Sequence, residues 1–166
     1  MLGPVDALAI RYARDDELDT VASLIVDAYA EYAAAMSPDA WSMYAQDIAN
    51  VYGRQWDGRL VVAEREGSVV GAVTMFSEWR GAQEGSAGLR LLSVPPAERG
   101  TGVGRALMEW CVQEARNLGK DRLLLTVTQE MVAMRDLSEA MGFVRVPQLD
   151  HEPAPGVRLQ GYALDV

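Results

Sequence analysis

The chain has 166 residues, of which 49% are hydrophobic and 23% are charged, so we expect one globular domain over residues 1–166. Its 15 basic and 24 acidic residues give a formal net charge of −9, which disfavours nucleic acid or an anionic membrane as a partner. A single cysteine and a single histidine exclude an intrachain disulfide, a cysteine zinc site and a multi-histidine centre, and we expect no metal.

The first residues and the apolar runs bear on location. Residues 1–6 lack the basic region and the apolar core of a signal peptide. No apolar run approaches the roughly 20 residues that a membrane span needs. We therefore expect a cytoplasmic protein. Lys120 is the one lysine among the basic residues, which is typical of a GC-rich bacterial genome.

Apolar residues recur with helical or strand spacing along the chain. Asp15 and Asp16 favour a helix N-terminus, Gly119 and Gly142 favour helix C-termini, and residues 65–68 favour a hairpin turn. Residues 81–88 and a proline-rich stretch before the last strand are expected to be loops. The predicted strands are 8–12, 60–64, 69–76, 89–94, 122–127, 143–146 and 157–164, and the predicted helices are 16–34, 41–52, 103–118 and 131–141. This order indicates an α/β fold with a mixed sheet.

The strongest local signal lies in residues 94–105, where a strand runs through a glycine-rich loop into a helix. The loop has glycines at alternate positions, Gly100, Gly102 and Gly104. They allow backbone N–H groups to approach an anion closely, and the helix N-terminus adds about half a positive charge. Arg99 and Arg105 can add formal charge. The segment predicts a pyrophosphate cradle, with a tight strand-to-helix turn as the structural alternative.

Two other nucleotide-binding motifs fit this loop less well. A Walker loop ends in Gly-Lys-Ser/Thr, whereas Gly104 is followed by Arg105 and Ala106. A Rossmann fingerprint has its third glycine three positions after the second and lies in a repeating βαβ sheet. Here three strands with an antiparallel pattern precede the loop.

The segment Arg99-Gly100-Thr101-Gly102-Val103-Gly104 resembles the acetyl-CoA motif Arg/Gln-x-x-Gly-x-Gly/Ala of the GNAT superfamily of N-acetyltransferases. The order of elements is similar over nearly the whole chain, and Met141-Gly142-Phe143 matches the Leu-Gly-Phe that ends the family's fourth helix. The tail from Arg145 to Tyr162 resembles a bacterial subgroup of unassigned substrate. The resemblance implies a GNAT-like fold, with a mixed, mostly antiparallel central sheet that is splayed between strands 4 and 5 and flanked by four helices.

The resemblance also implies acetyl-CoA as the cofactor. Pantetheine would pair with the exposed backbone of the fourth strand, and the pyrophosphate would rest on the glycine loop. A backbone N–H near Val94 would polarise the thioester carbonyl. The cofactor-binding residues expected from this are Leu92, Ser93, Val94, Arg99, Gly100, Thr101, Gly102, Val103, Gly104 and Arg105.

The chain departs from the family at its acid–base positions. The family's tyrosine acid, its asparagine and its glutamate base correspond here to Ser138, Met131 and Gly88. A general acid or base contributes roughly 10²- to 10⁴-fold, whereas positioning two reactants contributes about 7 to 11 kcal/mol. The departures are therefore compatible with a slower enzyme and also with a non-catalytic relative.

A base is needed because an alkyl amine of pKa about 10.4 is neutral in only about one molecule in 10³ at pH 7. Glu78, Glu84 and His151 are the candidates, each with a solvated surface group as its alternative role. Ser138 could donate a weak hydrogen bond to the sulfur. The predicted catalytic residues are Ser138, His151 and Glu78.

The substrate side is expected on the two early helices and at the end of the third strand, which are rich in aromatic residues. Such side chains could stack an apolar or cationic group, and core packing is the alternative. The predicted substrate-binding residues are Tyr29, Tyr32, Trp41 and Trp79.

The leading hypothesis is transfer of an acetyl group from acetyl-CoA to a primary amine of a small molecule by direct attack. The alternatives are a protein or peptide N-acetyltransferase, a non-catalytic acyl-CoA-binding or sensing module, and a nucleotide-binding α/β protein outside the family. Dimers are common among the relatives, so the resemblance allows a homodimer.

Overall fold

A computed structural model of the chain describes residues 7–54, 58–78 and 85–166. Within these ranges the chain forms eight strands and five α-helices, joined in places by short 3-10 segments. The strands are β1 Ala9–Tyr12, β2 Arg59–Arg65, β3 Ser68–Phe76, β4 Ser86–Ser93, β5 Arg122–Val127, β6 Val144–Arg145, β7 His151–Ala154 and β8 Val157–Asp165. The helices are α1 Leu18–Tyr29, α2 Pro38–Ala49, α3 Val51–Arg54, α4 Val103–Asn117 and α5 Val132–Ala140.

The strands form a mixed sheet in the order β1-β2-β3-β4-β5-β8-β6, with β7 also paired to β8. Only the pairing of β4 with β5 is parallel among the described strands, and all others are antiparallel. A parallel pair needs a crossover connection, and α4 provides it. The predicted mixed and mostly antiparallel sheet is confirmed.

The sheet opens between β4 and β5. These strands pair only where Ser86 to Leu89 lie beside Arg122 to Leu125, although both strands continue further. On the other edge of β4 the register with β3 shifts, so that β4 carries one extra residue. Leu91 sits at this bulge with φ 59°, a strained conformation for a leucine. The predicted splay is therefore present, and it starts just before the bulge.

Helices α1 and α4 both pack on the central strands. Helix α4 buries one apolar stripe, with Val103, Leu107 and Cys111 almost fully covered. Gly71 of β3 faces the start of this helix, where an added Cβ would lie 2.6 Å from Cγ1 of Val103. The close approach of β3 to α4 fixes the height of the glycine loop above the sheet.

Two predicted helices are divided in the structure. The helix predicted over 16–34 is α1, with 3-10 segments at Asp15–Glu17 and Ala30–Ala35. The helix predicted over 41–52 is α2 followed by α3, because Asn50 leaves the helical conformation and its side chain accepts the N–H of Gly53. The described residues therefore contain five helices where the sequence predicted four.

Two predicted loops are partly strands. The proline-rich stretch contains β7, which pairs with β8, and Pro153 is tolerated because the register shifts between His151 and Ala154. The glycine-rich stretch predicted as a loop up to Gly88 gives way to β4 at Ser86. Hydrophobic periodicity predicts neither strand segment, because both segments are short.

No helix in the described ranges has the length and apolar content that crossing a membrane requires. The same residues include no group of three or more histidine, cysteine, aspartate or glutamate side chains placed to hold a metal ion. Cys111 is buried, and burial raises the pKa of its thiol, so this cysteine is a packing residue.

Replacing Gly71 with alanine tests the contact between β3 and α4. We expect Gly71→Ala to lower the free energy of unfolding by about 1 to 3 kcal/mol, because the new methyl group would overlap Val103. Urea denaturation measures the change, and Ser68→Ala on the same strand, at an exposed position, should stay within about 0.5 kcal/mol of wild type. Equal midpoints for the two variants would contradict this packing.

Candidate functional site

A cavity of about 510 Å³ lies where β4 leaves β5. Its wall combines the end of β4, the loop into α4, the start of α5 and the C-terminal part of α1. The residues that line it are Ala28, Tyr29, Glu31, Tyr32, Leu92, Val94, Glu98, Arg99, Gly100, Gly102, Val103, Gly104, Arg105, Glu130, Val132, Ala133, Met134 and Leu137.

The glycine loop presents the N-terminus of α4 to this cavity. Gly100 and Gly102 have φ of 75° and 86°, which favours glycine, and Gly102 is the N-cap residue. No side chain of the described residues caps the helix, so its first N–H groups have no side-chain acceptor in this part of the chain. Thr101 stabilises the loop by donating from Oγ1 to the carbonyl of Glu98 at 2.6 Å. This arrangement suits an anion.

Gly104 shapes the wall directly. A Cβ at this position would lie 3.6 Å from Leu137 and 3.7 Å from Leu92, both of which line the cavity. An added Cβ at Gly100 or Gly102 would meet no described atom within 4 Å. The three glycines therefore keep a cradle open that side chains would narrow.

Arg99 is held by the protein. Its guanidinium donates to the carbonyl of Val94 at 3.0 Å, to the carbonyl of Ala28 at 3.1 Å and to the carboxylate of Glu31 at 2.8 Å. The hydrogen bond from Arg99 lowers the pKa of Glu31. The sequence predicts that Arg99 adds positive charge for a phosphate. In the structure Arg99 lines the cavity and ties α1 to the end of β4, and its contact with a phosphate stays a prediction.

Arg105 keeps the freedom that Arg99 lacks. Its half-exposed side chain lies 3.6 Å from the carboxylate of Glu109, one turn along the helix. An exposed pair of this kind contributes about 0.3 to 0.5 kcal/mol, so an anion at the loop can recruit Arg105 at little cost.

The end of β4 is shaped by two hydrogen bonds. Tyr29 donates from its hydroxyl to the carbonyl of Leu92 at 3.0 Å, and Arg99 donates to the carbonyl of Val94. These are the residues expected to pair with pantetheine, and each carbonyl retains a second lone pair. Burial raises the pKa of Tyr29 well above its ordinary value, so Tyr29 remains a neutral donor.

Ser93 is the exception on this strand. It pairs with Ala72 of β3, is buried, and donates from Oγ to the carbonyl of Leu91 at 2.9 Å. Because alternate residues of a strand face opposite sides, Ser93 is directed away from the cavity that Leu92 and Val94 line. Its side chain therefore does not line the cavity, and its contact with a cofactor stays a prediction.

The predicted catalytic residues are not brought together. Ser138 is fully buried in α5, and its hydroxyl donates to the carbonyl of Met134 at 2.8 Å. His151 is exposed on β7, with Nδ1 3.2 Å from the carbonyl of Leu149. Neither is among the residues that line the cavity.

Glu78 is also remote from the cavity. It follows Phe76, which pairs with Gly88, four residues before Leu92. At about 3.3 Å per residue this separates Glu78 from the cavity end of β4 by roughly 13 Å or more. Glu84 lies outside the described residues.

Two of the four predicted substrate-binding residues line the cavity. Tyr29 and Tyr32 line the cavity, and burial raises the pKa of Tyr32 to about 12. Trp41 packs edge-to-face on Tyr44 with ring centroids 6.4 Å apart, and it does not line this cavity. Trp79 lies outside the described residues.

Sequence reasoning missed the contribution of α5 and of three acidic residues. Val132, Ala133, Met134 and Leu137 line the cavity, and the apolar spacing of the predicted helix could have indicated this face. Glu31, Glu98 and Glu130 also line it, and no local pattern marks them. Glu98 is neutralised by Arg65 at 2.7 Å, as Glu31 is by Arg99.

Comparison with known proteins identifies relatives of this arrangement. A family model described as the acetyltransferase (GNAT) family matches residues 23–143. The chain is 31% identical over 117 residues to the mycothiol acetyltransferase of Thermobispora bispora, covering 68% of this chain and 40% of that enzyme. It is 28% identical over 147 residues to the L-amino acid N-acyltransferase MnaT of Escherichia coli, covering 86% of this chain and 83% of that protein. The chain spans about half the length or less of the mycothiol acetyltransferases it matches.

A solved structure has the same fold. The yncA protein of Salmonella typhimurium, determined with its cofactor acetyl-CoA, superposes with a TM-score of 0.68 at 23% identity. The match covers 96% of this chain and 94% of that one. At this identity the comparison shows the fold.

The hydrogen bond from Tyr29 to Leu92 can be tested by stability. We expect Tyr29→Phe to lower the free energy of unfolding by about 0.5 to 1.5 kcal/mol, because the carbonyl of Leu92 loses its donor. Tyr44→Phe is the matched control, since Tyr44 is equally buried and its hydroxyl has no hydrogen bond to the described residues. Chemical denaturation compares the two, and equal losses would contradict the assigned hydrogen bond.

Proposed function

The chain belongs to the acetyltransferase (GNAT) family, and from this we propose that it transfers an acetyl group from acetyl-CoA to a primary amine of a small molecule. The observation that carries the proposal is the uncapped N-terminus of α4, which the glycine loop turns towards the opening between β4 and β5. The names of MnaT and of the mycothiol enzyme support a small acceptor. The net charge of −9 disfavours nucleic acid or an anionic membrane as the acceptor.

We assign the binding of acetyl-CoA to three parts of the wall. The N–H groups of Val103, Gly104 and Arg105 would hold the pyrophosphate at the helix N-terminus. The backbone of Leu92 and Val94 would pair with pantetheine. The apolar side chains of Val132, Met134 and Leu137 would cover its arm from the α5 side.

When bound, acetyl-CoA supplies a thioester whose carbonyl carbon accepts the neutral amine and whose thiolate leaves, and the proton that the nitrogen loses would pass through water to the thiolate, giving the CoA thiol. The chain's own contribution is to hold both partners and to exclude water with the apolar wall. Because Ser138 already donates within its helix, we assign it no proton transfer. The CoA thiolate is a tolerable leaving group, because the pKa of a thiol is about 8.5. Correct positioning of the amine and the thioester can therefore support the reaction.

The buried hydroxyl of Ser138 also favours a second candidate, a non-catalytic acyl-CoA-binding module. Thermal denaturation with acetyl-CoA, ATP and NAD tests the shared step, since a ligand at about 100 times its Kd adds about 2.7 kcal/mol. Thiol release with a panel of small amines then separates the two candidates. Stabilisation by acetyl-CoA with thiol release supports the transferase, stabilisation without release supports the binding module, and no stabilisation contradicts both. The homodimer stays a prediction.

Gly104→Ala separates ligand binding from folding. Alanine is favoured over glycine in a helix by up to about 1 kcal/mol, so the free energy of unfolding should not fall. The new methyl group would narrow the cradle between Leu92 and Leu137, and we expect the affinity for CoA to fall about tenfold or more, roughly 1.4 kcal/mol. Calorimetric titration measures the affinity. Gln113→Ala, at an exposed position of α4, is the control and should bind CoA as wild type does.

Ser138→Ala and His151→Ala test the acid–base assignment. We expect each variant to keep kcat/KM within about threefold of wild type, far less than the roughly 10²- to 10⁴-fold loss of a general acid or base. The reason is that one hydroxyl is committed to Met134 and the imidazole is exposed away from the cavity wall. A loss of 10²-fold in either variant, with stability retained, would restore that residue to the mechanism.

A further inference from the structure

Two arginines lie close together beside the cavity. Arg90 is on β4, two residues before Leu92, and Arg54 ends α3. Burial, and then the nearby charge of Arg90, lower the pKa of Arg54 to about 10. Two partly buried cations close together are unfavourable unless an anion compensates them.

Residues 7–54, 58–78 and 85–166 supply few acceptors for these two guanidinium groups. Arg54 donates to the carbonyls of Asp47 and Ile48, at 2.7 and 2.6 Å, near the end of α2, while its Nε is buried with no partner among the described residues. For Arg90 the described residues provide no hydrogen bond, and its nearest anion is the half-exposed Asp47 carboxylate at 3.6 Å. Among the described residues, the Asp47 carboxylate is thus the one anion near both guanidinium groups, which leaves one positive charge uncompensated there.

A buried hydroxyl lies next to this pair. Thr74 of β3 is the register partner of Arg90, so both side chains project from the same face of the sheet. Oγ1 of Thr74 is buried, and no described residue makes a hydrogen bond to it. Most buried polar groups have hydrogen-bond partners. Thr74 Oγ1 and Arg54 Nε have none among the described residues, and Arg90 makes no hydrogen bond to those residues. Together they indicate room for an acceptor from a ligand.

The pair is within reach of the opening between β4 and β5. Because Ala72 and Thr74 are alternate residues of β3, Arg90 projects from the same face of the sheet as Ser93, the face on which Asp47 of α2 lies. Along β4 it lies roughly 6 to 7 Å from Leu92, across the bulge at Leu91. Tyr29, which lines the cavity, also lies within the electrostatic reach of both arginines. A ligand group at Arg90 would therefore sit near Tyr29 and Leu92, where the pantetheine arm is proposed to pair.

We propose that Arg90, supported by Arg54 and Thr74, binds a carboxylate of the acetyl acceptor, so that the acceptor is an amino acid or another amine with a carboxylate a few bonds away. This rests on the proposed function. A carboxylate matches the two-pronged guanidinium and carries the single negative charge that the pair lacks. Bound there, it orients the neutral amine towards the opening between β4 and β5.

The test compares L-amino acids with their carboxamides as acceptors. Wild type should acetylate the carboxylates with a kcat/KM at least about tenfold higher. In Arg90→Gln the KM for the carboxylates should rise about 10- to 100-fold, as expected for a lost hydrogen bond to a charged group, while the carboxamides change little. Arg122→Gln, which breaks an ion pair with Asp165 elsewhere on the sheet, is the control and should alter neither series.

Asp47→Asn distinguishes a binding role of Arg90 from a structural one. Removing the competing carboxylate should lower the KM for the amino acids severalfold, in the opposite direction to Arg90→Gln. If the Arg90–Asp47 pair merely supports the fold, both variants will lose activity on carboxylates and carboxamides alike, and the proposal is overturned.

If the proposed function is wrong, neither the amino acids nor their carboxamides will cause thiol release. Binding then decides the subsite. Calorimetric titration of L-methionine into the protein with CoA present should give binding to wild type and at least tenfold weaker binding to Arg90→Gln. Equal binding, or none to wild type, overturns the carboxylate subsite. Acetylation of carboxamides as fast as amino acids overturns it while leaving the proposed function intact.

Discussion

The separation of β4 from β5 beyond Leu89 is the constraint on which the site depends. Continued parallel pairing would use up the backbone groups of Leu92 and Val94. The bulge at Leu91 turns the strand away, at a cost of about 1 to 3 kcal/mol for its backbone conformation. Tyr29 and Arg99 then donate to the two exposed carbonyls, so the strand end is not left unsatisfied. The same side chains join α1 to β4, which makes the cavity wall and the open strand one structural unit.

An acidic chain that binds anions must concentrate its positive potential in a few places. Most partly buried arginines in the described ranges form short ion pairs, such as Arg11 with Glu17 and Arg145 with Asp150, both at 2.6 Å. Arg90 differs because its ion pair is 3.6 Å long. The N-terminus of α4 and the Arg90 guanidinium are therefore two separate sites of positive potential. In the proposal the first binds the pyrophosphate of acetyl-CoA and the second binds the acceptor.

The parts that the sequence predicts well depend on local patterns. The stripe of α4 and the alternate glycines are visible within a few residues, and they located the helix and its N-terminal cradle. The parts it predicts poorly depend on distant partners. Arg99 meets Glu31 and Ala28 across 68 and 71 positions, and Tyr29 meets Leu92 across 63. No local rule distinguishes an arginine that will bind phosphate from one that will bind three protein oxygens. The hydroxyl of Ser138 shows the same difficulty, because its commitment to Met134 depends on burial of that face of α5.

Because Ser138 is buried and already donates a hydrogen bond, catalysis by this chain would depend on the orientation of the two reactants and not on a general acid. A general acid contributes about 10²- to 10⁴-fold, which is roughly 3 to 5 kcal/mol, whereas orientation of two reactants contributes about 7 to 11 kcal/mol. Orientation requires a second contact with the acceptor besides the reacting amine. In the proposal a carboxylate bound by Arg90 provides this contact. Arg54, which supports it, is held at the end of α2 by hydrogen bonds to the carbonyls of Asp47 and Ile48. In such an enzyme the subsite raises the rate as well as the affinity. Selectivity for the acceptor and the speed of acetyl transfer then have a common origin in the position of one guanidinium group beside the opening of the sheet.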